Sequence, residues 1–505
     1  MTTIKMLDNE FWWFGSVNVG HEMPFDLNTD ITVDLDGGRE NDQFAPLMLS
    51  SKGRYIWSEK SFSVTVKNGV MTFNKNSEIV LKDGFENLKG AYLAAMKAHF
   101  PFDGKMPDEL FWTAPQYNTW IELGTEQTTE KIYAYAKSIV ENGLDPGVLM
   151  IDEGWQEDYG MFEFHKGKIP DPKKLMDELH DLGFKVMLWV SPIVASAGTN
   201  YKKLRDKGYL IKNADGTIAV REWWSGFSAV LDLTNPDAVS WYHSQLKSLM
   251  ERYDVDGFKF DAGDRYFYKD ADCIVKRIPA RDHTAYFNEI GLEYPFNEYR
   301  AAWKFGGKAI VARLHDKYHT WDDFGINTLI PHTVIQGLSG YGYCCPDMVG
   351  GGILDCFNKG QQLDEELFVR WAQANALMSM MQVSVAPWRV LSEENYRLVK
   401  DAIQLHSKYS DHFISLAKET AKTGEPVVRH MAYEFPDEGF EKVNTQFMVG
   451  SEILVAPVVE RGAVTKDVIL PKGRWEDSDG RIYDGGCTVT VDAPINKLNY
   501  FIKVK

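Results

Sequence analysis

Cysteine is scarce in this chain of 505 residues. The five present (Cys273, Cys344, Cys345, Cys356, Cys487) are odd in number and scattered, and no Cys-x-x-Cys pair occurs. That argues against a disulfide scaffold and against a zinc knuckle. No apolar run is long enough to span a bilayer. Met1 to Gly15 carries no basic flank followed by an apolar run of signal-peptide length, so a cytoplasmic protein is expected. Positive charge is also in deficit: 55 Lys and Arg face 72 Asp and Glu, for a net charge of −17. Neither nucleic acid nor an anionic membrane is an expected partner of so acidic a surface. None of the 12 His stands in a His-x-His pair, which disfavours a metal-dependent amidohydrolase. His315 and His319 are four apart, but with no third ligand evident.

The rest of the composition is that of a soluble globular protein, with 44% hydrophobic and 25% charged residues. The length suits about two to four domains. Aromatics are somewhat rich, with 15 Trp among them. Residues 1–107 alternate apolar and polar positions between turn signals such as Asp36-Gly37-Gly38 and Lys67-Asn68-Gly69, predicting an N-terminal antiparallel β-sandwich. From 108 to 420 strand-like runs alternate with helix-length segments. Strands are expected at Leu110–Thr113, Val148–Ile151, Lys185–Val190, Gly257–Phe260, Ala309–Ala312, Gly342–Cys345 and Val383–Ala386. Helices are expected over Thr129–Glu141, Pro172–Leu182, Pro236–Arg252 and Asp364–Met381, two of them opening on a polar cap followed by Pro. This pattern predicts a central (β/α)8 barrel with one strand, between Asp261 and Tyr341, unplaced. Residues 195–232, which carry Trp223-Trp224, read as an insertion rimming the site. Alternation returns over 421–505, a C-terminal β-sandwich, so the expected fold is a multidomain α/β chain.

Chemistry concentrates where predicted strands end on acids. Val255-Asp256-Gly257-Phe258-Lys259-Phe260-Asp261 closes an apolar run with a carboxylate at the carboxyl end of a strand, where a barrel keeps its catalytic groups. Gly147 to Ile151 runs likewise into Asp152-Glu153-Gly154-Trp155, and Lys185 to Val190 delivers Trp189. Two rim carboxylates suit glycoside hydrolysis: one attacks the anomeric carbon and the other protonates the leaving oxygen. Asp261 is the first choice for the attacking group. For the second acid, Ala309 to Lys317 offers Arg313 and Asp316, with Asp322, Asp323, Asp264 and Asp347 as competitors on spacing alone.

These segments together resemble glycoside hydrolase family 31. Phe258-Lys259-Phe260-Asp261-Ala262-Gly263-Asp264 is similar to the family's nucleophile strand. Thr320-Trp321-Asp322-Asp323, Gly337-Leu338-Ser339-Gly340-Tyr341 and Cys345-Pro346-Asp347-Met348-Val349-Gly350-Gly351 follow its pattern through the barrel. Ser451 to Val458 and Val468 to Trp475 resemble its C-terminal domain. The resemblance covers nearly the whole chain and implies a retaining mechanism, with Asp261 as nucleophile, Asp316 as acid/base and Arg313 beside it. The Trp-Thr-Gly-Asp form usual around the acid in glucosidases is missing. Pro387-Trp388-Arg389, at the expected end of the eighth strand, resembles the myogenesis-regulating-glycosidase branch, which is associated with α-galactosidase activity. Ile151 to Trp155 is similar to the Asp-Asp-Gly-Trp motif of other α-galactosidases, in which the acids hold O4 and O6 and the Trp shapes the pocket. Substrate contacts are therefore expected from Asp152, Glu153, Trp155, Trp189, Lys259, Arg313, Asp347 and Trp388. The expected substrate is an oligosaccharide or glycoside ending in α-galactose, with no cofactor or metal implied and self-association left open. An α-glucosidase or α-xylosidase is the alternative within the family, and an inactive carbohydrate-binding protein the alternative outside enzymes. No basic cluster suited to a sulfonated sugar is evident.

Overall fold

The computed structural model describes residues 2–37, 42–74, 78–268, 276–358 and 362–504. Eight short strands pair in parallel: β1 Gln116–Asn118, β2 Val148–Ile151, β3 Lys185–Val190, β4 Gly257–Phe260, β5 Phe296–Tyr299, β6 Val311–Arg313, β7 Cys344–Cys345 and β8 Gln382–Val383. Their hydrogen-bonded order is β7-β6-β5-β4-β3-β2-β1-β8, a nearly closed (β/α)8 barrel. The crossover helices start where side chains satisfy free backbone donors. Thr128 accepts from Lys131 N ahead of Thr129–Glu141, Asp171 from Lys174 N ahead of Pro172–Asp181, and Asn235 from Asp237 N ahead of Pro236–Tyr253. Pro172 and Pro236 sit at the first helical positions, where a missing N–H costs nothing.

Strands β2, β3 and β4 fall on the predicted residues, but others differ. Leu110–Thr113 is a helical turn, and β1 follows it. Strands β6, β7 and β8 are shorter than expected and displaced by one or two residues. The unplaced strand is β5. A polar barrel interior explains these differences. Gln382 Nε2 donates to Glu298 Oε2 at 2.7 Å and to Gln116 Oε1 at 3.3 Å, while Arg313 Nε lies 3.2 Å from Glu298 Oε1. Strands β1, β5, β6 and β8 each contribute one of these groups, so they lack the continuous apolar run that normally marks a buried parallel strand.

Antiparallel sheets flank the barrel. On the N-terminal side, Thr2–Lys5, Val70–Asn74, Ser63–Lys67 and Ile31–Asp34 form one sheet. Gln43–Ser50 pairs with Trp12–Ser16 and Tyr55–Trp57 in another. The predicted hairpin turn at Lys67-Asn68-Gly69 is present, with Asn68 and Gly69 both at positive φ. Gly38 of the other predicted turn, and Cys273, lie outside the described residues. Gln43 and Phe44 also pair in parallel with Ala302 and Trp303, just past β5, which stitches the N-terminal sheet to the barrel. On the C-terminal side, residues 428–504 form a six-stranded sheet and a two-stranded one. After β3, the insertion folds as a three-stranded antiparallel sheet, Ile193–Ala195, Gly226–Val230 and Val220–Trp223, with the helix Thr199–Asp206. Among the described residues no helix is long and apolar enough to cross a membrane.

Candidate active site

Side chains two apart on a strand share a face, so β4 directs both Lys259 and Asp261 inward, and β5 does the same for Glu298 and Arg300. The register places Lys259 opposite Trp189 on one side and Glu298 on the other. Asp261 is thereby surrounded by donors. Trp189 Nε1 donates to Oδ2 at 2.9 Å, and Arg300 Nε and the Ala262 amide donate to Oδ1, each at 2.9 Å. Ala262 takes a left-handed φ of 55° to make that local bond. Burial pushes the Asp261 carboxyl upward, but the charges of Arg300 and Lys259 and the two side-chain hydrogen bonds outweigh it and hold the group well below the usual carboxylate range. Asp261 is thus fixed as an anion. Its neighbour Asp264 lies 3.7 Å from Arg300, and burial raises it to about 6.

Asp316 faces the same cavity of 260 Å³, whose walls also include Trp120, Asp152, Glu153, Trp224, Lys259 and Arg300. Its setting is different. The side chain is 34% exposed, and Arg313 donates to its Oδ1 at 2.9 Å. Arg313 is buried behind the cavity and also meets Asp347 at 3.0 Å and Glu298. Asp347, with its second oxygen taking the Lys317 amide at 2.7 Å, is raised to about 7 by burial. Gly352 presses on the acid: a Cβ there would lie 2.7 Å from Asp316 Oδ1, so a side chain at 352 would dislodge it.

At the end of β2, Asp152 Oδ2 accepts from Lys259 Nζ at 2.7 Å while Oδ1 takes the Glu153 amide at 2.8 Å. Glu153 accepts from Trp224 Nε1 and Ser225 Oγ, both at 2.8 Å, and from the Tyr159 hydroxyl. Burial raises its carboxyl above the ordinary range despite these bonds. Trp224 and Ser225 belong to the insertion, which rims the site as its tryptophans suggested. Gly154 follows at φ 100°, with Thr125 O where a Cβ would stand.

Of the residues singled out from sequence, Asp152, Glu153, Lys259, Asp261 and Asp316 therefore line one cavity. Arg313 and Asp347 stand behind it. Trp189 is 1% exposed and serves Asp261 as a hydrogen-bond donor, not as an open stacking wall. Trp155 is fully buried, its Nε1 donating to the Trp189 carbonyl at 2.8 Å, so it braces Trp189 and does not line the pocket. Trp388 lies outside the cavity: Pro387–Val390 is a helical turn, and the indole packs on Tyr396. Sequence reasoning missed Arg300, Trp120 and Glu298. Placing β5 would have revealed Arg300, one residue beyond a strand end.

Asp42, His315 and His332 bring possible metal-ligand atoms within 4.8 Å of one another. Lys317 Nζ, however, sits 2.9 Å from His332 Nδ1 and 2.9 Å from Thr328 Oγ1, and His332 Nε2 lies 3.2 Å from His21 Nδ1. With both ring nitrogens of His332 engaged and an amine already in the cluster, the groups fit a hydrogen-bonded network better than a metal centre.

Residues 115–416 match the profile of the glycosyl hydrolases family 31 TIM-barrel domain, and residues 424–504 that of the glycosyl hydrolase family 31 C-terminal domain. The chain is 29% identical to the myogenesis-regulating glycosidase of Mus musculus, over 97% of its own length and 68% of that protein's. It is 30% identical to an α-xylosidase (XylQ) of Lactiplantibacillus pentosus, over 90% of its length and 61% of the relative's. In three dimensions it resembles a dextranase of Flavobacterium johnsoniae complexed with glucose, with a TM-score of 0.87 at 22% identity over 99% of this chain and 66% of the other.

Proposed function

The chain belongs to glycosyl hydrolases family 31, and we propose that it is a retaining, exo-acting α-glycosidase whose preferred substrate ends in α-linked galactose. One observation carries the mechanism: an anion held among cations and a carboxyl about one third exposed face the same small cavity. Asp261 attacks the anomeric carbon from below while Asp316 gives its proton to the departing oxygen, leaving a β-glycosyl ester on Asp261. Asp316, now a carboxylate, takes a proton from water, which attacks the same carbon and restores the α configuration. Arg300 and Trp189 keep Asp261 ionised and aimed. The cavity of 260 Å³ falls below the roughly 300–1,000 Å³ of drug-sized ligand sites, which suits a single terminal sugar ring.

The galactose preference rests on the end of β2. Glu153 carries three donors on about four acceptor sites, so acceptor capacity remains for a hydroxyl, and Asp152 is oriented by Lys259. Charged acceptors at O4 and O6 discriminate epimers because the wrong one leaves a buried acceptor unpaired. An α-glucosidase or α-xylosidase is the second reading, the xylosidase favoured by the named activity of the Lactiplantibacillus relative. We place the protein in the cytoplasm, where a reducing medium suits the thiols of Cys344, Cys345 and Cys487. Hydrolysis of p-nitrophenyl α-D-galactoside, α-D-glucoside and α-D-xyloside, side by side near neutral pH, tests the proposal. Galactoside is expected to exceed the others by at least about tenfold in kcat/KM. A preference for glucoside or xyloside would keep the mechanism and replace the sugar, and silence on all three would favour a binding protein.

A further inference from the structure

The backbone amides of the two residues on either side of Asp316 are each held by a buried carboxylate. On the far side, the Lys317 amide donates to Asp347 Oδ2 at 2.7 Å. On the near side, the His315 amide donates to Asp42 Oδ1 at 2.7 Å, and His315 Nδ1 lies 2.5 Å from Asp42 Oδ2. Asp42 belongs neither to the barrel nor to its loops. It immediately precedes the N-terminal strand Gln43–Ser50, is 1% exposed, and leads directly into the pairing of Gln43 with Ala302. Gln43 in turn donates to the main-chain carbonyls of Arg300 and Arg313, at 2.8 Å for the latter, and takes a bond from Gln336 at 2.7 Å. Two adjacent residues, Asp42 and Gln43, therefore hold the main chain at both arginines that grip the carboxyl pair and at the residue before Asp316.

We propose that Asp42 is a positioning residue for the acid/base: its bidentate hold on His315 sets where the Asp316 carboxyl stands over the cavity. The proposal rests on Asp316 being the acid/base. Asp316 itself has one side-chain hydrogen bond, from Arg313, and a third of its side chain is open. Gly352 packs against one side of it, but among the described residues its one side-chain bond is with Arg313, so the backbone on either side carries most of its positioning. Proton transfer requires donor and acceptor within roughly 2.6–3.2 Å, and a displacement of about 1 Å can cost on the order of 10²-fold. Asp42 stays ionised despite its burial because His315 and Lys317 offset the desolvation, so both of its oxygens remain acceptors.

The test is Asp42→Ala, with Asp42→Asn as the variant that keeps the side-chain volume and one carbonyl acceptor. Each is assayed on two glycosides of the same sugar, methyl (a poor leaving group) and 2,4-dinitrophenyl (one that needs no protonation). For Asp42→Ala, kcat/KM on the methyl glycoside should fall about 30- to 100-fold, and glycosylation of the enzyme by the dinitrophenyl glycoside should stay within about threefold. Asp42→Asn should lie between it and the parent. Equal losses on both substrates would reduce Asp42 to a structural role and overturn the proposal, as would unchanged hydrolysis of the methyl glycoside. Should Asp42→Ala not fold, Asp42→Asn decides by the same split. Asp316→Ala run in parallel separates the two failures: if it too loses both substrates equally, Asp316 is not the acid and the underlying reading falls first.

Discussion

The two carboxylates facing the cavity are held in opposite ways. Asp261 sits in a closed ring of donors from β3, β5 and its own strand, with a second cation, Lys259, behind. Asp316 has one arginine, an open flank and a pinned backbone. The contrast follows from what each must do. A nucleophile should be an anion whenever substrate arrives, so a strong positive cage costs nothing and excludes the protonated form. An acid/base must hold a proton in one step and lack it in the next, so a cage of that strength would lock it in a single state. Fixing Asp316 through its main chain gives it a location without closing a ring of donors around its carboxyl.

The most drastic way to break the comparison is Asp261→Ala, which removes the attacking group. Turnover of every glycoside tried should fall by at least about 10⁴-fold, without the leaving-group dependence expected of Asp316→Ala. Removing the cage but not the anion is gentler. With Arg300→Met, the Asp261 carboxyl loses its strongest cationic partner, so its pKa rises. The acid limb of the kcat/KM profile should move to higher pH, and activity above that limb should drop about 10²-fold from weaker orientation. An acid limb unmoved by this change would mean that Asp261 does not govern it. The smallest effect is expected of Trp189→Phe, which deletes one neutral donor at 2.9 Å: about a tenfold loss in kcat with KM little changed, measurable as initial rates on the dinitrophenyl glycoside.

The two halves of the site were unequally legible in the sequence. Strands β2, β3 and β4 carry apolar runs, interrupted within them only by Lys259, that bring Asp152, Trp189 and Asp261 to the rim, so these residues could be read from the pattern alone. Strand β5, Phe296-Asn297-Glu298-Tyr299, has two polar residues of four. Asn297 donates to the Tyr294 and Ala309 carbonyls, and Glu298 joins the polar barrel interior. Such residues look like loop in a periodicity argument, and Arg300 was lost with them. Asp316 needed the family resemblance, because a loop acid has no periodic signature. Sugar-facing roles are expected of Trp155 and Trp388 by resemblance and of Trp189 from its place at a strand end. Trp155 is a buried brace, Trp189 a buried donor to Asp261, and Trp388 lies on a helical turn, whereas Trp120 and Trp224 take the cavity wall. Asp42 was not foreseeable at all, since its importance lies in a contact with a residue 273 positions away.

That stitching has a consequence for synthesis. Among the described residues, the outer edge of Gln43-Phe44 pairs with Ala302-Trp303, about 260 residues later in the chain. A polypeptide made from the N-terminus must therefore keep part of a β-edge unsatisfied until β5 and its neighbours have emerged, an interval in which such an edge recruits wrong strands. Long-range pairing of this kind slows folding. Yield from a cell-free translation should accordingly depend on holdase chaperones more steeply for the full chain than its final stability would suggest.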